Sequence, residues 1–272
     1  MKICSFINSF WLIACIFCIV SCDEESDFIT GPTTSSTMIS GVARTVDGMP
    51  LAGVQVSLDY KESVWLGQQV TRHKAKGVTD NEGNYRLYFE LRDDELRDGG
   101  NDASVARNFY LTIDLSSLPE DMYIMPKDIK SDNDGQKLLF YYDNRHFEKG
   151  KYYTHNLYVP RKCWIDVTIV NNGKMEPNDK FVVSNMIKYG GERLPFNSYY
   201  RDGRVLMEYP VAMTPDREQT FRVPCVLNDS NSIYIGCMEG GVGSYDAVTP
   251  VKKVFVTEDG PQLVRFEIDA AE

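Results

Sequence analysis

Val78-Thr79-Asp80-Asn81-Glu82-Gly83-Asn84-Tyr85, continued by Arg86-Leu87-Tyr88-Phe89, reads as a turn feeding a strand. Asp, Asn and Gly suit a turn because they form local side-chain hydrogen bonds or accept positive φ. Beyond the turn, Tyr85, Leu87 and Phe89 share one face of a period-two pattern. Upstream, Val54, Val56 and Leu58 alternate with Gln55 and Ser57, a second half-buried strand entered through the bend Pro50-Leu51-Ala52-Gly53. Before that bend, Ile39-Ser40-Gly41-Val42-Ala43 reads as a strand and Asp47-Gly48 as a hairpin turn. The pattern predicts an all-β fold.

Downstream, Tyr60 to Lys76 is long and basic, and Leu91 to Asn108 carries the charged Arg92-Asp93-Asp94-Glu95-Leu96-Arg97-Asp98 before Gly99-Gly100. Both stretches read as surface excursions. Strand spacing resumes at Phe109, Leu111, Ile113 and Leu115, and Lys151 to Val159 reads as a closing strand before Pro160. The first domain is therefore expected to span residues 38–160. In residues 161–272, Cys163, Ile165, Val167 and Ile169 alternate against Trp164, Asp166 and Thr168. Further strands are expected at Lys180–Ile187, Arg204–Tyr209, Thr220–Leu227, Ser232–Glu239, Val251–Thr257 and Gln262–Asp269. Short strands separated by turn signals predict a second β-sandwich in tandem with the first.

Gly41, Val42, Asp47, Gly48, Pro50, Leu51, Gly53, Val54 and Val56, followed by Thr79, Asp80, Gly83 and Tyr85, resemble the signature of the carboxypeptidase regulatory-like family. That resemblance implies a transthyretin-like β-sandwich for the first domain. It implies an accessory module without catalytic residues of its own and carries no peptidase activity with it.

At the start of the chain, Lys2 precedes the apolar run Phe6 to Val20, and Ile19-Val20-Ser21-Cys22 resembles a bacterial lipobox. The resemblance implies a signal peptide over residues 1–21 and lipidation of Cys22, holding the protein to a membrane through acyl chains. An uncleaved transmembrane anchor is opposed by Asn8 and Ser9 within the run and by the acids that follow Cys22. Residues 22–37, with Asp23-Glu24-Glu25-Ser26-Asp27 and a Ser/Thr-rich stretch, read as a flexible tether reaching about 20 Å. The acids resemble the export signal of surface lipoproteins of Bacteroidetes-type bacteria, which implies an outer-membrane protein facing the exterior.

Basic residues number 29 against 39 acidic, a net charge of −10, which argues against nucleic acid as a partner. The chain has 7 cysteines and 3 histidines, with no zinc-binding spacing among them. Cys225 and Cys237 fall on neighbouring runs that opposed strands would bring together, as a disulfide or as buried free thiols. No nucleophile frame, zinc-protease motif or phosphate-cradling loop occurs, so no catalytic residue and no cofactor is expected. Asp132 and Asp134 precede Gly135 as acids do in calcium loops, but Lys130 takes the first-ligand place and no glutamate follows at the usual distance, so no metal is expected.

Two groups of aromatic residues suggest ligand stacking. Tyr141, Tyr142, Phe147, Tyr152 and Tyr153 surround His146, and Phe196, Tyr199 and Tyr200 lie in a polar loop beside Arg201 and Asp202. Core and strand-edge packing is the plainer reading of these aromatics, since rings are favoured in strands in any case. The chain reads as a non-catalytic binding or presentation module with a polysaccharide or an outer-membrane protein as partner. A glycan-binding accessory of a nutrient-uptake complex, a hydrolase on an unfamiliar β fold and a structural spacer are the alternatives.

Overall fold

The computed structural model describes residues 23–29, 31–64, 69–97, 105–129, 135–172, 179–191, 200–201, 204–213, 218–241, 244–257 and 262–268. The protein is all-β. Its first half contains β1 (Asp23–Ser26), β2 (Thr37–Arg44), β3 (Gln55–Val64), β4 (Gln69–Val78), β5 (Asn84–Phe89), β6 (Val105–Asp114), β7 (Lys137–Asp143), β8 (Tyr152–Thr154) and β9 (Leu157–Tyr158). A single-turn helix, α1 (Pro126–Ile129), precedes β7. The second half contains β10 (Lys162–Asn171), β11 (Lys180–Ile187), β12 (Tyr200–Arg201), β13 (Arg204–Val211), β14 (Glu218–Val226), β15 (Ser230–Met238), β16 (Asp246–Ala247), β17 (Lys252–Phe255) and β18 (Leu263–Ile268).

One five-stranded sheet runs β1-β4-β3-β6-β7, and it faces a sheet of β5-β2-β8 to which β9 adds through β2. Their inner faces meet in one core, with Ile39 and Ala43 from β2, Leu58 and Tyr60 from β3, Leu87 and Phe89 from β5, and Phe109 and Leu111 from β6. The period of two in β2, with every second side chain buried, fixes which face turns inward, because a one-residue slip would expose the whole apolar set. In the second half, β14-β10-β18 packs on a sheet of β12-β13-β11-β15-β16, with β17 also on β15. Ile165, Val167, Phe181, Val223, Ile235 and Phe266 fill the core between them.

The motif residues of the first half fix its connecting turns and the close approach of β2 to its neighbours. Thr79 accepts a hydrogen bond from the Val54 amide (2.9 Å) and donates one to the Leu51 carbonyl (2.6 Å). The Asp80 carboxylate accepts from the amides of Glu82 and Asn84 (3.0 and 2.7 Å), closing the turn. Gly83 follows at φ +79°, where a Cβ would stand 2.3 Å from the Ala43 carbonyl oxygen, so the position demands glycine for both conformation and space. Gly41 is equally confined, since its Cβ would lie 1.9 Å from the His155 carbonyl oxygen, to which Tyr85 donates at 2.6 Å.

Several expectations are corrected. The Asp47-Gly48 turn does not join a hairpin, because β2 pairs with β5 while β3 pairs with β4 and β6. The turn closes locally on an Arg44–Pro50 bridge, and the chain then crosses to the other sheet. Tyr60 to Lys76 is no excursion, since β3 and β4 run through it as an antiparallel pair and both Tyr60 and Lys74 are fully buried. The start of Leu91–Asn108 likewise turns inward, burying Leu91 and Glu95. Residues 23–37 are not a free tether: β1 joins the five-stranded sheet, and Ser36 and Thr37 are buried.

Candidate functional site

Cys22, Asp132, Asp134, Phe196 and Tyr199 lie outside the described residues. Tyr200 lies in β12, opposite Val205. Of the aromatic residues around His146, Tyr142 and Phe147 are buried. The His146 ring sits 4.6 Å from that of Tyr142 and 4.8 Å from that of Phe147. This group is core packing, with Tyr141 and Tyr152 left at the surface.

The structure reveals a different constellation where β1 meets the sheet. β1 runs parallel to β4, with Asp23 opposite Val70 and Ser26 opposite His73. An edge strand this short adds little main-chain bonding, and charged side chains supply the rest. Lys74 Nζ lies 2.8 Å from Asp27 and 2.9 Å from Glu95, with Lys74 and Glu95 both excluded from water. Arg72 reaches Glu25 (3.1 Å), Asp94 (3.0 Å) and Glu95 (3.4 Å), while Arg92 pairs with Glu25 (3.1 Å) and with Asp27. The Arg92 amide completes the Glu95 carboxylate at 2.9 Å. Buried charges persist only when paired and hydrogen-bonded, and here Lys74 ties Asp27, next to β1, to the body of the sheet while Glu95 completes its pairing. Burial opposes ionisation of Asp27, but Lys74 and Arg92 outweigh it and hold its carboxyl below the ordinary carboxylate range.

The outer face of the same sheet carries a band of rings. In register, His73 of β4 stands opposite Asp59 of β3, Asp59 opposite Tyr110 of β6, and Tyr110 opposite Tyr141 of β7. His73 Nδ1 lies 2.7 Å from Asp59, and Phe28 extends the band past β1, its ring centroid 6.5 Å from that of His73. Tyr110 and Tyr141 meet edge to face at 5.8 Å, and Tyr141 donates to Asn108 at 2.6 Å. Lys61 and Lys76 sit over the rings of Tyr110 and Phe28, at 5.3 and 5.1 Å. Four inter-strand steps make the band about 19 Å long. Beside it is a groove of about 550 Å³, lined in part by Gln55, Ser57, Lys76, Thr112, Asp114 and Lys137. Phe28, Val78 and Tyr141 are exposed. Rings, cations and hydrogen-bonding groups thus occur together on one open sheet face. The sequence signal was present in the alternation of Asn108, Tyr110 and Thr112, but its partners come from three other strands.

No family model and no curated protein matches the chain. Among solved structures, the Bacillus anthracis TIE protein is similar at 11% identity and TM-score 0.27, over 86% of this chain and 34% of that one. A streptococcal ancillary pilin shows 13% identity and TM-score 0.27, over 87% and 63%. The shaft pilin SpaA of Lactobacillus rhamnosus GG shows 13% and 0.26, over 88% and 100%. The chain thus spans less than two thirds of the first two. Superpositions this loose carry no argument about function.

Proposed function

We propose that the chain is an outer-membrane lipoprotein, acylated at Cys22 and facing the exterior, that presents a non-catalytic β module directly at the membrane surface. The observation that carries this reading is the position of β1, which begins at Asp23, one residue beyond the candidate lipid site. With Glu25 and Asp27 tied to Arg72, Arg92 and Lys74, a lipid on Cys22 would seat the sandwich against the headgroups. Two or more acyl chains hold a protein stably. The carboxypeptidase regulatory-like resemblance fits an accessory module of this kind. Metabolic labelling with a fatty-acid analogue tests the reading. Label is expected on the parent and absent from Cys22→Ala, and label persisting on that variant rejects it.

The ring band favours a second reading, a glycan-binding accessory whose platform lies on the first sandwich. Sugar rings stack on exposed aromatic faces, and the neighbouring groove offers donors and acceptors. A Tyr110→Ala/Tyr141→Ala variant is expected to lose binding on a polysaccharide array while its melting temperature falls by a few degrees at most. Unchanged binding sinks this reading. The hydrolase alternative requires two converging carboxylates with raised pKa. Glu208 is raised by burial, and no second acid contributes to that shift.

A further inference from the structure

We propose that Cys163 and Cys225 form a cross-strand disulfide when the chain meets a protein or small-molecule disulfide as oxidant. Cys163 on β10 stands directly opposite Cys225 on β14, and their Sγ atoms are 3.1 Å apart as thiols. Directly opposed residues of an antiparallel pair have Cα atoms about 4.5–5.5 Å apart, within the roughly 4.4–6.8 Å that a disulfide spans. The bond therefore closes with small side-chain rotations. Cys237 is placed elsewhere, on β15 in the other sheet, opposite Phe181 and Asp246. Of the two states the sequence offered for Cys225 and Cys237, a disulfide or buried free thiols, the structure holds both as buried free thiols, and the residue facing Cys225 is one far upstream.

The two thiols differ in access, which sets the order of events. Cys163 is half-buried and Cys225 fully buried. The hydrogen bond with Cys225 holds the Cys163 thiol below its usual range against the effect of burial, and the Arg161 charge adds to this. The same contact, with burial, pushes Cys225 up. Cys163 therefore attacks first as thiolate, breaking the external S–S bond, forming a mixed disulfide and releasing one external thiolate. Cys225 then gives its proton to solvent and attacks Cys163 Sγ, expelling the second external thiolate. Two protein thiols are oxidised by two electrons and one external disulfide is reduced to two thiols.

The test equilibrates the purified full chain with oxidised glutathione, blocks remaining thiols with N-ethylmaleimide and maps the peptides by mass. Cys163 and Cys225 are expected in one linked pair, lighter by two hydrogens than the separate peptides, while Cys237 takes the label. Cys237→Ser leaves the link intact, and Cys163→Ser leaves Cys225 as a labelled thiol. A bond involving Cys237 overturns the proposal, as does full labelling of Cys163 and Cys225 or glutathione retained on Cys163 without closure. The mapping on the parent chain decides the matter even where a variant fails to fold. It is also independent of export, so its failure is distinct from failure of the lipoprotein reading.

Discussion

Lys74 and Glu95 illustrate how a buried charge depends on its partner. Each is withdrawn from water, 2.9 Å from the other. Lys74→Met removes the cation and leaves Glu95 with Arg72 at 3.4 Å, a weaker substitute. Breaking a buried pair on one side costs about 3–5 kcal/mol, so urea unfolding of Lys74→Met should show an unfolding free energy lowered by that amount, with the midpoint shifted to lower urea at unchanged slope. Lys74→Met combined with Glu95→Leu should recover much of the loss, because paired apolar replacement is often neutral. A single variant as stable as the parent would show that the pair carries no weight. Asp27 adds a pH dependence. Its folded pKa lies below the ordinary value, about 3.9 in an unfolded chain, so its contribution is present above that value and is lost as pH falls through the folded pKa. Asp27→Asn should therefore flatten the loss of stability below about pH 4, as read by melting temperature against pH. At this scale the sequence was half legible. Thr79, Asp80 and Gly83 announced their turn because its chemistry is local, whereas Lys74 and Glu95 are separated by 21 positions and leave no periodic trace.

Among the strands, legibility followed alternation. Lys180–Ile187 was expected within the bounds that β11 has, because its apolar run ends in clear turn signals. β4 was missed. Its Arg72, His73, Lys74 and Lys76 suggest a solvated loop, and only distant partners make them compatible with a sheet: Glu25, Asp27, Asp94 and Glu95 for Arg72 and Lys74, Asp59 of β3 for His73, and the Phe28 ring for Lys76. β1 was missed for the complementary reason, since an acidic run after a lipidation motif carries no apolar face. Its side chains also divide by task. Glu25 and Asp27 are held in ion pairs, while Glu24 is exposed. Glu25→Ala/Asp27→Ala should release β1, raising hydrogen exchange at the amides of residues 24–27 towards that of an open strand. Asp23→Ala/Glu24→Ala should leave that exchange unchanged. If the acids also serve export, the Asp23/Glu24 pair is the one that shields the protein from protease on intact cells when replaced. Equal exchange in both variants would show that the ion pairs do not hold the strand.

Among the described residues two cores form, and they are not independent. Ile187, Tyr189, Val205, Met207 and Val226 of the second half are buried in the first core, where they extend what the strands before Pro160 enclose. Polar contacts follow the same seam. Arg161 and Asn228 meet Asp47 at 3.0 and 3.3 Å, Lys162 meets Asp128 at 2.7 Å, and Tyr189 donates to the Ile124 carbonyl at 3.2 Å. Turn signals marked β11 and β13 as strands but not which core their side chains would enter, and β11 in fact feeds both, Ile187 into the first and Phe181 and Val183 into the second, so the sequence suggested separate tandem sandwiches. Burying a large aliphatic or aromatic side chain is worth about 1.5–3 kcal/mol, so losing the set that crosses the seam removes on the order of 10 kcal/mol. Whole domains are stable by only about 5–15 kcal/mol. A fragment of residues 23–160, cut at the boundary the sequence suggests, is therefore expected not to fold cooperatively. Its near-ultraviolet circular dichroism should be featureless, and urea should produce no sigmoidal transition, while the intact chain unfolds with a single midpoint for probes in either half. A fragment with a sharp transition of its own, or two separated midpoints in the intact chain, would show instead that the first sandwich stands without the second.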